Sequence, residues 1–303
     1  MTHVYAGEAV VVRSAVEILA TLDAGGACDG LLFMPEMAAM IGKPYRVHRR
    51  AERVCVEGHG FRRLADTVFL EEARCDGSAH DSCQRNCLML WHEAWLRPAG
   101  APERPVDGAV EARARRALKH LHTRTGDQYS CQSTHLAAAS QPLPGANVKA
   151  LLRDVRNRDI TPVGLAGITL RAAVNRARGA IGLPQMGMIL GQAGKKSRGD
   201  LDLKPGEWVR IRDEAFIRTT LGPDGKNLGL SFEPEMAMLI GQVRQVDHVV
   251  ERMIHEETGR MVKLTRTVML KDTFCRGLCS KLCPRANPLF WREVWLERVE
   301  APN

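Results

Sequence analysis

Aromatic side chains make up only 5% of this 303-residue chain, and none of its apolar stretches is long. The longest, such as Leu31–Phe33 and Val163–Leu170, fall far short of the roughly 20 residues that cross a bilayer, so no membrane span is expected. The opening Met1-Thr2-His3-Val4-Tyr5-Ala6-Gly7-Glu8 lacks a basic segment followed by an apolar one, and no secretory leader is read there. A Gly-x4-Gly-Lys-Ser/Thr phosphate loop, a His-Glu-x2-His helix and a nucleophile elbow are also missing. These absences argue against a nucleotide-driven enzyme and a serine hydrolase. A soluble, cytoplasmic protein is expected, with enough apolar residues, 45%, to build real cores. The net charge of +8 permits an acidic partner without requiring one.

Length alone suggests two domains of roughly 100–200 residues and a connector. An internal repeat then divides the chain. Phe33-Met34-Pro35-Glu36-Met37-Ala38-Ala39-Met40-Ile41-Gly42 returns as Phe232-Glu233-Pro234-Glu235-Met236-Ala237-Met238-Leu239-Ile240-Gly241, identical at seven of ten positions at an offset of 199. After a slip of one residue, Thr67-Val68-Phe69-Leu70 returns as Thr267-Val268-Met269-Leu270, and Trp91-His92-Glu93-Ala94-Trp95-Leu96 as Trp291-Arg292-Glu293-Val294-Trp295-Leu296. The boundaries read from this are a first β module at 1–98, a basic helical connector at 99–202 and a second β module at 203–303.

Within the modules the pattern is that of short strands. Glu207–Arg212 alternates polar and apolar residues, Val243–Val250 is a second strand, and Gly259 turns a hairpin between Met253-Ile254 and Met261–Leu264. Thr267–Leu270 and Phe290–Val299 complete the set. The Pro-Glu-Met segments read as single short helices stopped by Gly42 and Gly241. The expected fold is therefore mainly β with an α connector: two tandem SH3-like or related small β-barrel modules joined by a helical linker. In the connector, helices are expected at Val110–His122, Gly145–Arg158 and Thr161–Leu183, and a flexible hinge at Gly191–Gly199.

Cysteine is where the sequence becomes chemical. There are nine, an odd number that does not suit a disulfide framework in a reducing compartment, and six of them fall in two short windows. The first window is Cys75-x4-His80-x2-Cys83-x3-Cys87, a complete four-ligand set. The second is Cys275-x3-Cys279-x3-Cys283-Pro284, three ligands for which Cys131 or His135 of the connector could supply a fourth. Soft thiolates brought together by short loops suit zinc or an iron–sulfur cluster. Neither window has the Cys-x2-Cys knuckle of zinc sites, while Cys-x3-Cys spacing and the Cys283-Pro284 pair suit iron–sulfur, which is the preferred cofactor with zinc as the alternative. Cys28 and Cys55 have no counterpart in the other module and read as core or surface residues.

Other features take plainer readings. Trp91, Glu93 and Trp95 would share one strand face, as would Trp291, Glu293 and Trp295, and packing with an arginine-paired carboxylate is preferred to a substrate-facing surface. Glu36 and Glu235 read as carboxylates favoured at helix starts, and His120 and His122 as solvated. The arginines of the connector read as a solvated face rather than a phosphate track, and aromatics are too sparse there for single-strand stacking.

The Phe33-x-Pro35-Glu36-Met37, Arg74-Cys75-Asp76-Gly77-Ser78-Ala79-His80, Cys83-x3-Cys87 and Trp91-x-Glu93-Ala94-Trp95-Leu96 motifs resemble a bacterial family built on the same duplicated module. Its members occur among polysaccharide and natural-product biosynthesis genes, so the resemblance implies a biosynthetic setting without implying an activity. The combined expectation is an iron–sulfur protein in redox or catalysis, meeting a small-molecule substrate or a redox partner protein. The rival expectation is a zinc-stabilised binding module that recognises nucleic acid or a partner protein.

Overall fold

A computed structural model of the chain describes residues 3–143, 148–192, 198–277 and 283–302. The backbone divides into two compact units. Unit 1 comprises Met1–Leu165 together with Ile254–Val262 and Cys283–Arg285, and unit 2 comprises Ala166–Met253, Lys263–Leu282 and Ala286–Asn303.

Unit 1 is built on a five-stranded antiparallel sheet in the order Leu88–His92, Thr67–Arg74, Pro44–Arg50, Ala9–Val12, Leu96–Pro98. The strands at its two edges are consecutive in the chain, joined only by a single 3-10 turn at Glu93–Trp95. A connection that short can link opposite edges only if the sheet curls, and each unit accordingly carries a curled half-barrel. Unit 2 repeats the order as Pro288–Arg292, Thr267–Phe274, Val243–Val249, Trp208–Ile211, Leu296–Val299. The chain is thus mainly β, with two tandem five-stranded modules, as the alternation and the repeat predict.

The repeated motifs turn out to be the cores. Phe33 meets Trp95 edge-on with ring centroids 5.3 Å apart, and Phe232 meets Trp295 in the same way at 5.2 Å. Both tryptophans are fully buried, so each indole N–H needs a partner. Trp95 donates to the Thr21 hydroxyl at 2.9 Å, and Trp295 to that of Thr220 at 3.0 Å. The Trp-Glu-Trp segments are not continuous strands, because the strand ends at His92 or Arg292 and the next three residues form the 3-10 turn. Glu93 is buried against the Arg50 guanidinium and also accepts the Val4 N–H. Glu293 accepts the N–H groups of Asp202 and Leu203. Packing, not a substrate-facing surface, accounts for these residues.

One irregularity positions the site. In both modules the long third strand slips register, between Phe69 and Arg74 and between Met269 and Phe274. Glu72 and Asp272 adopt φ of 61° and 58° within that slip. A bulge of this kind bends the strand end out of the ladder, and the first cysteine of each window, Cys75 or Cys275, follows immediately.

The connector helices form at Gly108–Lys119, Val148–Arg156 and Pro162–Ala180. Residues 145–147 of the second expected helix, and 193–197 of the expected hinge, lie outside the described residues. Asp107 caps the first helix, and Glu111 in its first turn accepts the free N–H groups of Ala15 and Val16 at the start of Ala15–Leu19. Between the first two of these helices, where the sequence pattern marks no element, lie the hairpin of Arg124–Thr125 with Gln128–Tyr129, the helix Gln132–Ala139, and the strand Gln141–Pro142, which pairs with Gly60–Arg63. No helix among the described residues is long and apolar enough to cross a membrane.

Candidate metal centre

The first cysteine window is held in shape by its own backbone. Cys75 N–H donates to the Cys87 carbonyl at 2.9 Å, closing the loop, and the N–H groups of His80 and Ser82 donate to the Gly77 carbonyl. Gly77 has φ 68°, and a Cβ on it would lie 2.1 Å from the Cys83 carbonyl oxygen, so only glycine fits this approach.

His80 does not face the cavity with a free lone pair. Its Nδ1 meets Glu36 Oε1 at 2.6 Å, and its Nε2 donates to the Ser130 carbonyl at 3.1 Å. Burial works against charge on either partner, but their mutual hydrogen bond and attraction prevail, lowering the Glu36 pKa and raising that of His80. The pair is an imidazolium–carboxylate clamp that ties the window to the Pro35–Met40 turn and to the connector. Glu36 therefore does more than sit at a helix start, and His80 holds the loop.

The fourth thiol comes from the connector. Cys131 lines one cavity with Cys75, Cys83 and Cys87. Its place is set by Gln132, which docks on the edge of the sheet: its Oε1 accepts the Leu90 N–H at 2.9 Å, and its Nε2 donates to the carbonyls of Leu90 at 2.8 Å and Leu32 at 2.9 Å. The rest of the lining is largely apolar, with Phe69, Leu88, Leu90, Leu136 and Ile254 among it. Burial pushes the Cys75 thiol far up, and the charges of Glu36, Cys87 and Cys131 add to the effect. Burial likewise raises Cys83, and raises Cys131 to about 11. Thiols that resist ionisation and repel one another once ionised are stabilised as thiolates by a bound cation.

Two arginines bring positive charge to this cavity. Arg85 and Arg285 both line it, and both pair with the buried Glu256, at 2.9 Å and 2.6 Å. Arg285 also donates to the Cys55 carbonyl and the Ser133 hydroxyl. Burial alone would lower its pKa, but the charge and hydrogen bonds of the Glu256 carboxylate raise it. Arg85 and Arg285 are repeat counterparts, and so are their contacts. Arg85 donates to the Ile254 carbonyl and Cys83 Sγ accepts the Ile254 N–H at 3.3 Å. Arg285 donates to the Cys55 carbonyl and Cys283 Sγ accepts the Cys55 N–H at 3.2 Å. Cys55, which read as incidental, is the counterpart of Ile254 in this arrangement.

The cysteines of the second window fall in different parts of the chain's division into units. Cys283 belongs to unit 1, Cys275 to unit 2, and Cys279 lies outside the described residues. Cys275 Sγ donates to Glu235 Oε1 at 3.6 Å and accepts the Gly277 N–H at 3.4 Å. His135, the other fourth-ligand candidate, meets the Thr134 hydroxyl at 3.2 Å. Cys131 thus stands with the first window, to which no spacing argument had assigned it. Sequence inspection could have used one cue: Cys131 is the sole connector cysteine and opens a helix, with Thr134 reaching back to its N–H at 3.0 Å. Nothing in the sequence marks Gln132 or Glu256.

Comparison of the chain with protein-family models, with curated proteins and with solved structures returns no match.

Proposed function

We propose that unit 1 binds an iron–sulfur cluster through Cys75, Cys83, Cys87 and Cys131 and passes electrons to a redox partner protein. The observation that carries this reading is four thiols lining one largely apolar cavity. Their spacing supports a cluster over a single zinc ion. Zinc sites usually hold a Cys-x2-Cys knuckle, which the Cys83-x3-Cys87 pair lacks. A cluster of several irons spans a wider set of thiolates and supplies one-electron redox chemistry when bound.

The surrounding residues suit that role. The Ile254 N–H on Cys83 Sγ and the nearby guanidinium groups of Arg85 and Arg285 stabilise negative charge on the thiolates. The Glu36–His80 clamp fixes the loop, and apolar lining limits water. Four protein ligands complete the coordination, which favours electron transfer over binding of a small-molecule substrate at the metal. For the modules themselves we infer an SH3-like barrel, supported by the strand order and the 3-10 turn before the last strand.

The test is anaerobic purification followed by a visible spectrum and by iron, sulfide and zinc counts per chain. Iron and sulfide in comparable amounts, lost in Cys131→Ala and retained in Cys275→Ala, are expected. A colourless chain holding zinc on four sulfurs, or a cluster indifferent to Cys131→Ala, would overturn the proposal.

A further inference from the structure

A second cleft in unit 1 shares no lining residue with the cysteine cavity. It has a volume of about 240 Å³, and four arginines line it: Arg50, Arg63, Arg153 and Arg156. Two carboxylates, Glu52 and Asp66, and the imidazole of His3 complete its charged lining.

Most of this charge is matched within the protein. Glu52 accepts from Arg63 at 2.5 Å and 3.3 Å, and Arg50 Nε stands 3.8 Å from it. Arg50 itself pairs with the buried Glu93 and donates to the Val4 carbonyl at 2.8 Å. Asp66 lies 3.8 Å from His3 Nδ1. Asp154, the carboxylate next to Arg153 in the chain, is paired with Arg53 at 3.4 Å.

Arg153 and Arg156 stand outside this matching. Three residues apart at the end of the helix Val148–Arg156, they share one face, and Asn157 follows on the same side. Neither guanidinium makes a hydrogen bond or ion pair among the described residues. Arg153 is half-buried, and its Nε is sealed from water without a partner, so the side chain is packed in place. Unlike an arginine on a solvated helix face, it holds an unmatched charge in a concave site, where the field of neighbouring charges is focused.

The duplicated module shows that the fold does not need this arrangement. The counterparts of His3, Arg50 and Asp66 are Asp202, Val249 and Arg266. There Asp202 pairs with Arg266 at 3.1 Å, and Glu293 accepts backbone N–H groups with no buried arginine opposite it.

We propose that this cleft binds the phosphate group of a small molecule, held by Arg153 and Arg156. Arginine grips phosphate oxygens through two parallel N–H donors, and two guanidinium groups on one helix face match a dianion. Tyr5 and Asn157 add a hydroxyl and an amide to the lining. The volume is below the roughly 300–1,000 Å³ of pockets that enclose drug-sized ligands, so a small phosphate ester suits it. Nucleic acid strands need a continuous basic groove, which Glu52 and Asp66 interrupt here.

Calorimetric titration of the whole chain with inorganic phosphate at constant ionic strength tests this, with acetate and chloride as comparison anions. One phosphate per chain is expected, bound more tightly than acetate. Each variant removes a charged hydrogen-bond donor, so Arg153→Gln and Arg156→Gln should each weaken binding about tenfold or more. Arg156 is exposed, so its variant keeps the fold even where Arg153→Gln does not. Arg113→Gln, an exposed change on another connector helix, should leave binding unchanged. No saturable phosphate binding, binding indifferent to Arg156→Gln, or an equal response to acetate or chloride overturns the proposal. Tighter binding of a single-stranded RNA oligomer, lost in the same variants, would overturn the assignment to a small ligand. None of these outcomes depends on whether the cysteine cavity carries iron.

Discussion

At the scale of single residues, two glycines separate backbone strain from steric exclusion. Gly42 and Gly77 both hold positive φ, 80° and 68°. A Cβ on Gly42 would meet nothing within 4 Å, whereas one on Gly77 would strike the Cys83 carbonyl. Each alanine substitution therefore carries the backbone cost of roughly 1–3 kcal/mol, but only Gly77→Ala must also push apart the loop that carries Cys75 and Cys83. The expected outcome is that both variants melt earlier, while only Gly77→Ala loses its iron. Thermal unfolding paired with metal analysis checks this, and equal iron in the two variants would contradict the loop assignment. His80 teaches a related lesson. Its spacing between cysteines reads as that of a ligand, but a histidine with Glu36 on one nitrogen and a carbonyl on the other is already committed. Spacing shows which residues can converge, and only the partners show which of them are free to coordinate.

At the scale of elements, the helix Gln132–Ala139 decides whether the fourth thiol is present. Gln132 is buried and satisfies the N–H and carbonyl of Leu90 and the carbonyl of Leu32. Leucine fills a similar volume and pairs with none of them. An orphaned buried group costs about 1–3 kcal/mol, so Gln132→Leu should destabilise unit 1 by about 3 kcal/mol or more. Cys131 should move with the helix. Urea titration and iron retention measure the two effects, and a fully loaded variant of unchanged stability would refute the docking role. This element also marks where sequence reading stops. The sheet strands were legible because a half-buried strand alternates with a period of two and because the chain states the pattern twice. The core was legible for the same reason, since Phe33, Met37 and Trp95 recur as Phe232, Met236 and Trp295. The docking of Gln132 on Leu90 joins positions 42 residues apart through one side chain and leaves no periodic trace.

At the scale of the whole molecule, unit 1 is assembled from distant stretches of chain, and buried charge is part of what joins them. Glu256 accepts from Arg285, Arg85, Ser133 and the Glu57 N–H. Burial opposes its ionisation, yet Arg285 and Arg85 hold its pKa at about 2. Its contribution is thus fully present above the ordinary carboxylate range and is lost as pH falls through about 2. Asp159 behaves in the opposite sense. Burial raises it to about 7, although it accepts the Arg50 N–H at 2.8 Å and faces Arg49, with Asp154 adding repulsion. The folded chain keeps a proton there that the unfolded chain has shed, so its contribution is present at low pH and lost as pH rises through about 7. Unit 1 should therefore be most stable in mildly acidic solution, with one carboxylate shaping each limb. Asp159→Asn keeps an acceptor for the Arg50 N–H and removes the titration. Urea midpoints at pH 5 and pH 8, followed by circular dichroism, should fall between those values for the parent chain by more than for Asp159→Asn. Equal falls would mean that Asp159 is already ionised in the folded chain, and that the arginines around it outweigh its burial.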